Sequence, residues 1–215
     1  MTTNPLWQDD YWLLLMQLYM SKPTGMKSPY SKAMVDLGIA LHLPPKFLHA
    51  QMRRLRDRAT PQLQRFWDTY SANPRKLNRD AKRLREMQGF GSAAAFYEGV
   101  DTADTFATAY LPIEPASPLT PVMLVILLNL YYSLTPITMV ADTPEVQQTA
   151  RLMGITAADA VSVLSIYQTF DPILHRRPAE PTPLTEACRR TWQQYGAEEP
   201  DRLAAAAVKL GEYFK

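Results

Sequence analysis

Residues 37–55 read LGIALHLPPKFLHAQMRRL, and this stretch decides the fold. Its leucines and methionine recur mostly three or four positions apart, which is the spacing of one face of an amphipathic helix. Pro44 and Pro45 interrupt the pattern, and proline suits the first turn of a helix better than its interior. The stretch therefore predicts two helices joined by a tight turn, the first over 31–42 and the second ending near Arg58.

Helical signals continue on both sides of this pair. A strongly apolar helix precedes it, with Asp9 and Asp10 near its start, where the helix dipole favours acidic side chains. Three later helices are predicted to begin at Thr60-Pro61, at Asn73-Pro74 (ending at Gly89) and at Ser92. Since we find no convincing alternation with a period of two, the predicted fold class is all-α.

The same helical pattern occurs a second time. A shift of 112 residues places Tyr19 on Tyr131 and Gly38 on Ala150 without a gap. After a change of register, Trp67, Tyr70, Pro74, Leu77, Ala81 and Leu84 match Trp192, Tyr195, Pro200, Leu203, Ala207 and Leu210. We expect a tandem duplication of one unit: an apolar helix, a pair of helices around a tight turn, and a helical hairpin. The alternative is two unrelated amphipathic stretches that share helical periodicity.

Three segments follow from this pattern. Residues 1–100 form a basic helical repeat, and residues 122–215 form a second, charge-poor repeat that is expected to pack on the first. Between them, residues 101–121 contain Pro112, Pro115, Pro118 and Pro121, which indicates an extended Pro-rich linker.

Charge is distributed unevenly along the chain. Residues 1–100 hold 15 Lys and Arg against 8 Asp and Glu, a net charge of +7, whereas residues 101–215 hold 8 against 13, a net charge of −5. The net charge of +2 for the whole chain conceals this difference. A basic first half indicates an anionic partner.

The pair of helices over 37–55 resembles the helix-turn-helix motif of DNA-binding proteins. Gly38 stands where the motif has a small residue, and Leu48 and Met52 stand at apolar positions of its second helix. His42 departs from the motif, because the family usually has a glycine with positive φ there, a conformation that histidine tolerates at a cost. The second repeat has the expected glycine, Gly154.

The resemblance implies that the second helix of the motif is a recognition helix whose outward side chains meet DNA. The candidate nucleic-acid-binding residues lie on this helix and on the fifth helix: Lys46, His49, Arg53, Arg54, Arg56, Arg75, Arg79, Lys82 and Arg83. Phosphate neutralisation is expected from six of them: Arg53, Arg54, Arg75, Arg79, Lys82 and Arg83. We expect Lys46 and His49 to reach the groove. The alternative is that both helices present a solvated face rich in arginine.

The second repeat has lost these charges. The 112-residue shift replaces His49 by Val161 and Arg54 by Ile166, which are poor residues to expose to water. We therefore expect this face to be covered by the first half or by another subunit, with Val161 and Ile166 as partner-binding residues.

Catalytic and metal-binding signals are weak. His42, His49 and His175 lack zinc spacing, Gly89 and Gly91 do not form a phosphate-binding fingerprint, and Cys188 fits a small core residue better than a nucleophile. The paired acids Asp9-Asp10 and Glu198-Glu199 are explained by nearby helix starts. We expect no cofactor, no metal and no enzymatic activity.

The expected location is the cytoplasm. The N-terminus resembles no signal peptide, the longest apolar run is too short for a bilayer, and the single cysteine fits a reducing compartment. The leading functional hypothesis is a nucleic-acid-binding or regulatory protein that uses the basic helices of the first repeat. The alternatives are an interaction scaffold or homodimer and, third, an enzyme with an unrecognised site.

Overall fold

The structure is a computed structural model that describes residues 4–87, 90, 106–196 and 200–215. Within these ranges the chain forms ten α-helices and no strand, so the all-α prediction is confirmed. The chain divides into two compact units, Met1–Asp104 and Thr105–Lys215, each with its own hydrophobic core. The predictions made at Gly89, Gly91, Ser92 and Glu198-Glu199 lie outside the described residues.

The first unit has five described helices. They are α1 (Tyr11–Met20), α2 (Lys32–Leu41), α3 (Pro45–Arg56), α4 (Pro61–Ser71) and α5 (Pro74–Glu86). Proline begins α3, α4 and α5, because its fixed φ suits a first turn whose N–H groups have no helical partner. The side chains of Thr60 and Asn73 accept hydrogen bonds from the first turns of α4 and α5.

The core of the first unit forms around α1. This helix packs against α3 and α5, while α2 packs on α3 and α4 packs on α5. Leu15 and Met16 of α1 are fully enclosed, as are Leu48, Met52 and Leu55 of α3. Burial of these side chains fixes which faces of α3 and α5 are left to face water.

The second unit also has five described α-helices. They are α6 (Pro121–Ser133), α7 (Pro144–Met153), α8 (Ala157–Phe170), α9 (Pro183–Tyr195) and α10 (Pro200–Gly211). Short 3₁₀ turns cover Ala107–Tyr110, Pro136–Thr138 and Glu212–Phe214. Nine of the 13 residues of α6 are buried, because α8, α9 and α10 all pack against it.

The predicted linker 101–121 is described from residue 106 onward. From residue 106 onward this segment belongs to the second unit, where Leu119 is buried and Ile113 packs against the core. The Ile113 N–H donates to the Leu119 carbonyl at 2.9 Å, which closes the segment into a loop. The prolines do break helical structure here, but the apolar residues between them bind the segment to α6 and its neighbours.

The turns that follow α2 and α7 have the same backbone form. His42 ends α2 with φ 54° and Gly154 ends α7 with φ 69°, so the left-handed conformation expected at His42 is confirmed. After each of them, the next N–H reaches back to a helical carbonyl: Leu43 to Gly38 at 2.9 Å and Ile155 to Ala150 at 3.0 Å. This is the pattern of a left-handed helix cap, and it sets the direction in which the chain enters the next helix.

No single helix of the described chain is long and apolar enough to cross a membrane. Helices α7 and α8 reach the required length and apolar composition only when counted together, and they are bent by 110° at the break between them.

Candidate nucleic-acid interface

The face of α3 opposite the core carries exposed cations. Leu48, Met52 and Leu55 point into the first unit, which leaves Lys46 and Arg53 on the far side, and both are exposed. Neither side chain makes a hydrogen bond or an ion pair with another described residue. Lys46 is placed to meet an anion without first breaking an intramolecular contact, whereas the charge of Arg53 also acts on the Asp57 carboxylate and helps to lower its pKa.

His49 lies at the edge of this face and is half-buried. Its Nδ1 lies 2.8 Å from the backbone carbonyl of Lys27, and since a carbonyl only accepts, Nδ1 carries the hydrogen. The ring therefore ties the segment before α2 to α3 and leaves only Nε2 for another partner. The expected groove contact of His49 remains a prediction, now restricted to that one nitrogen.

Arg54 and Arg56 have partners within α3 and its C-terminus. The half-buried Arg54 donates to Gln51 Oε1 at 3.0 Å, and Arg56 Nε donates to Asp57 Oδ1 at 2.7 Å. The hydrogen bond from Arg56 lowers the pKa of Asp57 below its ordinary value. Both arginines are consequently less available to an external anion than Lys46 and Arg53.

The outward face of α5 is also basic. Leu77, Ala81 and Leu84 are buried in the core, and the candidate residues of this helix are all exposed: Arg75, Arg79, Lys82 and Arg83. Two of them have acidic neighbours, since Arg79 lies 3.3 Å from Asp80 and Lys82 lies 3.6 Å from Glu86. Exposed pairs of this kind are weak and can exchange for a phosphate.

Arg75 and Arg83 form no hydrogen bond or ion pair within the described ranges. With Lys46 and Arg53 they make a subset of four exposed cations that form no hydrogen bond or ion pair among the described residues, although the charge of Arg53 also acts on the Asp57 carboxylate. We call these four residues the open cations. The sequence could place cations on outward faces, but it could not separate open cations from paired ones.

Trp67 and Tyr70 of α4 are used for packing. Trp67 meets Tyr19 edge to face with ring centres 5.3 Å apart, and Arg58 lies 5.2 Å from the Trp67 ring. The Tyr70 hydroxyl donates to Asp80 at 3.2 Å while its ring packs against the core. Both rings are thus engaged within the first unit.

Val161 and Ile166 are half-buried and pack against the core of their own unit. This contact accounts for their apolar character without a covering subunit. Their predicted role in binding a partner stays a prediction. The most exposed large apolar residues of this unit lie elsewhere, at Ile137 (88%) and Ile173 (81%).

The sequence did not indicate a groove between α1, α2 and α5. Its volume is about 610 Å³, and its lining includes Leu14, Leu18, Leu37, Leu77, Ala33 and Ala40. Gln17, Asn78 and Arg85 add polar groups at one side. No local signal could have revealed it, because the lining residues come from helices far apart in the chain.

The described residues contain no group of three or more His, Cys, Asp or Glu side chains that could hold a metal ion. Cys188 is fully buried, as expected for a core residue. Comparison of the chain with protein-family models, with curated proteins and with solved structures gave no match.

Proposed function

We propose that this chain is a non-enzymatic nucleic-acid-binding or regulatory protein of the cytoplasm that contacts phosphates through α3 and α5. The observation that carries the proposal is the set of open cations, Lys46, Arg53, Arg75 and Arg83, on the outward faces of two helices of one unit. Phosphate binding needs Lys and Arg side chains that are exposed and not already neutralised.

The left-handed turn between α2 and α3 supports a helix-turn-helix-like role for this pair. The turn at His42 is tight, and Gly38 lets the segment after the turn approach α2 closely, since a Cβ there would lie 2.7 Å from the Leu43 carbonyl oxygen. In the equivalent pair of the second unit, the helices are bent by 110°, within the range of about 90–120° for this motif. Helix α3 would then be the recognition helix.

The proposal is tested by binding of fluorescent double-stranded DNA, single-stranded DNA and RNA between 50 and 200 mM salt. Each phosphate contact contributes about −0.9 to the slope of log K against log salt for duplex DNA. The triple variant Lys46→Gln/Arg53→Gln/Arg75→Gln should therefore flatten the slope by about 1–3. It should also weaken binding at 50 mM salt by at least about tenfold.

A variant with the same loss of charge in the second unit provides the matched control. Arg151, Arg176 and Arg177 are all exposed, and replacing them by glutamine lowers the net charge of the chain equally. This control should retain the wild-type salt slope. Equal losses in the two triple variants, or absence of salt-dependent binding by the wild type, would contradict the proposal.

A second candidate function is protein interaction through the second unit. Ile137 and Ile173 project almost fully into solvent, and a contact at 3.2 Å from Gln168 to the Met139 sulfur joins the loop after α6 to α8. Exposed apolar side chains mark an association surface where they form a continuous patch. A dimer in light scattering that is lost in Ile137→Glu/Ile173→Glu, together with no binding of nucleic acid, would favour this alternative.

We also propose that the two units derive from a tandem duplication. Under the 112-residue shift, Lys32–Leu41 of α2 coincides end to end with Pro144–Met153 of α7, and His42 coincides with Gly154. The Tyr19–Trp67 and Tyr131–Trp192 ring pairs both meet at 73° between ring planes. In this interpretation the first copy kept the cationic exterior and the second lost it.

A further inference from the structure

We propose that the groove between α1, α2 and α5 binds a small apolar carboxylic acid. Its volume of about 610 Å³ lies within the range of about 300–1,000 Å³ that is usual for small-molecule sites. This inference goes beyond the proposed function and does not depend on it, since the groove and the open cations use different side chains.

The apolar part of the site is built from leucines. Leu14 and Leu77 form a floor in which almost no side-chain surface is exposed, and Leu18 and Leu37 extend the apolar lining. Such a lining favours a hydrocarbon chain or an aromatic ring over a sugar or a nucleotide, because it offers few hydrogen-bonding groups.

The polar part of the site carries an uncompensated positive charge. The Arg85 guanidinium donates to Gln17 Oε1 at 2.7 Å, and Gln17 Nε2 donates to Asn78 Oδ1 at 2.9 Å. This chain of hydrogen bonds orients Arg85 through a neutral amide, and no carboxylate of the described residues lies within ion-pair distance of it. The guanidinium fork is therefore available for a carboxylate, which it binds with two parallel hydrogen bonds.

The other charged group of the lining, the Asp36 carboxylate, does not exclude a carboxylic acid as the ligand. Asp36 lies 2.8 Å from the Lys32 ammonium group in an exposed pair that offsets part of its negative charge. An acid whose apolar body lies on the leucines and whose carboxylate meets Arg85 matches both parts of the groove. A neutral or cationic ligand of the same size matches only the apolar part.

The second unit differs at the positions that matter for this site. The 112-residue shift aligns Ala40 with Leu152, and the register of α5 and α10 aligns Arg85 with Gly211. One rim of the corresponding region therefore carries a larger side chain, and the other carries no cation. We infer that the site is a property of the first unit alone.

The test is calorimetric titration of the full chain with octanoate and, as a neutral partner of equal chain length, octanol. Octanoate should bind one site, and octanol should bind more weakly. Arg85→Gln should weaken octanoate by about tenfold, as expected for one charge-assisted hydrogen-bonded pair, and should leave octanol unchanged. Arg65→Gln, an exposed arginine of α4 outside the groove, is the matched control and should bind octanoate like the wild type.

A groove-filling variant tests the location independently. Ala40 lines the groove but is exposed, so Ala40→Trp fills space without disturbing the buried core and should abolish binding of both ligands.

Amide chemical shifts on adding octanoate should move in α1, α2 and α5. The inference is overturned if octanoate does not bind saturably, if Arg85→Gln binds it as well as Arg65→Gln does, or if the shifts map to the second unit. No nucleic acid enters these measurements, so their failure is distinct from failure of the proposed function.

Discussion

His42 and Gly154 occupy the same position in two turns, with φ 54° and φ 69°, yet only one of them is a glycine. The left-handed conformation costs a residue with a Cβ about 1–2 kcal/mol relative to the right-handed one, whereas glycine adopts either readily. The turn after α2 is consequently held under a backbone strain from which the turn after α7 is free.

We predict that His42→Gly stabilises the protein. Relief of the strain should raise the free energy of unfolding by about 0.5–1 kcal/mol, measured by urea denaturation. The gain is smaller than the full strain because the histidine side chain also has a contact in the fold. The reciprocal variant Gly154→Ala should lower the free energy of unfolding by about 1 kcal/mol. If His42→Gly destabilises while Gly154→Ala is neutral, backbone strain is not what distinguishes the two turns.

Gly38 gives a second prediction, which concerns space rather than φ. A Cβ on this residue would lie 2.7 Å from the Leu43 carbonyl oxygen and 3.1 Å from Pro45 Cγ. We expect Gly38→Ala to lower the free energy of unfolding by about 1–3 kcal/mol, since the backbone of the turn must move. In a Pro45→Ala background the turn can shift, so the same change should cost less. Equal costs in the two backgrounds would show that the ring of Pro45 plays no part.

The N-termini of several helices could be predicted from the sequence alone. Pro45, Pro61 and Pro74 each begin a helix as expected, because proline acts locally through its own ring and missing N–H. The segment from residue 106 to 121 shows the limit of such local signals. Its prolines indicate a linker, but the burial of Leu119 depends on a core formed by residues distant in the chain.

In the candidate interface, too, local sequence patterns predict some features and long-range contacts decide others. Outward positions on α3 and α5 follow from helical geometry, and the exposure of Lys46 and Arg53 agrees with it. The engagement of His49 with the Lys27 carbonyl does not follow from any periodicity, since it joins α3 to an irregular segment. Long-range contacts of this kind decide which candidate side chains are open, and only the fold supplies them.

We predict that replacing Trp192 by alanine lowers the free energy of unfolding more than replacing Trp67 does. Trp192 lies within 6.2 Å of four aromatic rings, those of Tyr131, Tyr132, Tyr167 and Phe170. Among the described residues, Trp67 meets one ring, that of Tyr19. Trp192→Ala should lower the free energy of unfolding by about 3–5 kcal/mol, and Trp67→Ala by about 2 kcal/mol. Urea denaturation followed by circular dichroism measures both. Equal costs would mean that the aromatic cluster adds nothing beyond the area that each indole buries.

Cys188 provides a prediction about pH. Burial raises the pKa of its thiol from an ordinary value of 9.0 to about 12, although a hydrogen bond with Tyr167 opposes part of the rise. The folded protein therefore keeps the thiol protonated at a pH where the unfolded chain has lost that proton. Stability from this group is complete below about pH 9 and is lost as the pH rises toward 12.

The comparison with Cys188→Ala removes the ionisable thiol, and with it the contribution of Cys188 to the raised pKa of Tyr167. Between pH 8 and pH 11, the wild type should lose about 1–3 kcal/mol more unfolding free energy than the variant. Burial and, after it, Cys188 raise the pKa of Tyr167 well above its ordinary value. Tyr167 therefore adds to the loss in both proteins, and it adds more in the wild type. At pH 8 the native thiol should react with a disulfide reagent at least about a hundredfold more slowly than the unfolded chain, because only an exposed thiolate attacks. A difference between the two proteins that does not change with pH would mean that the thiol ionises equally in both states.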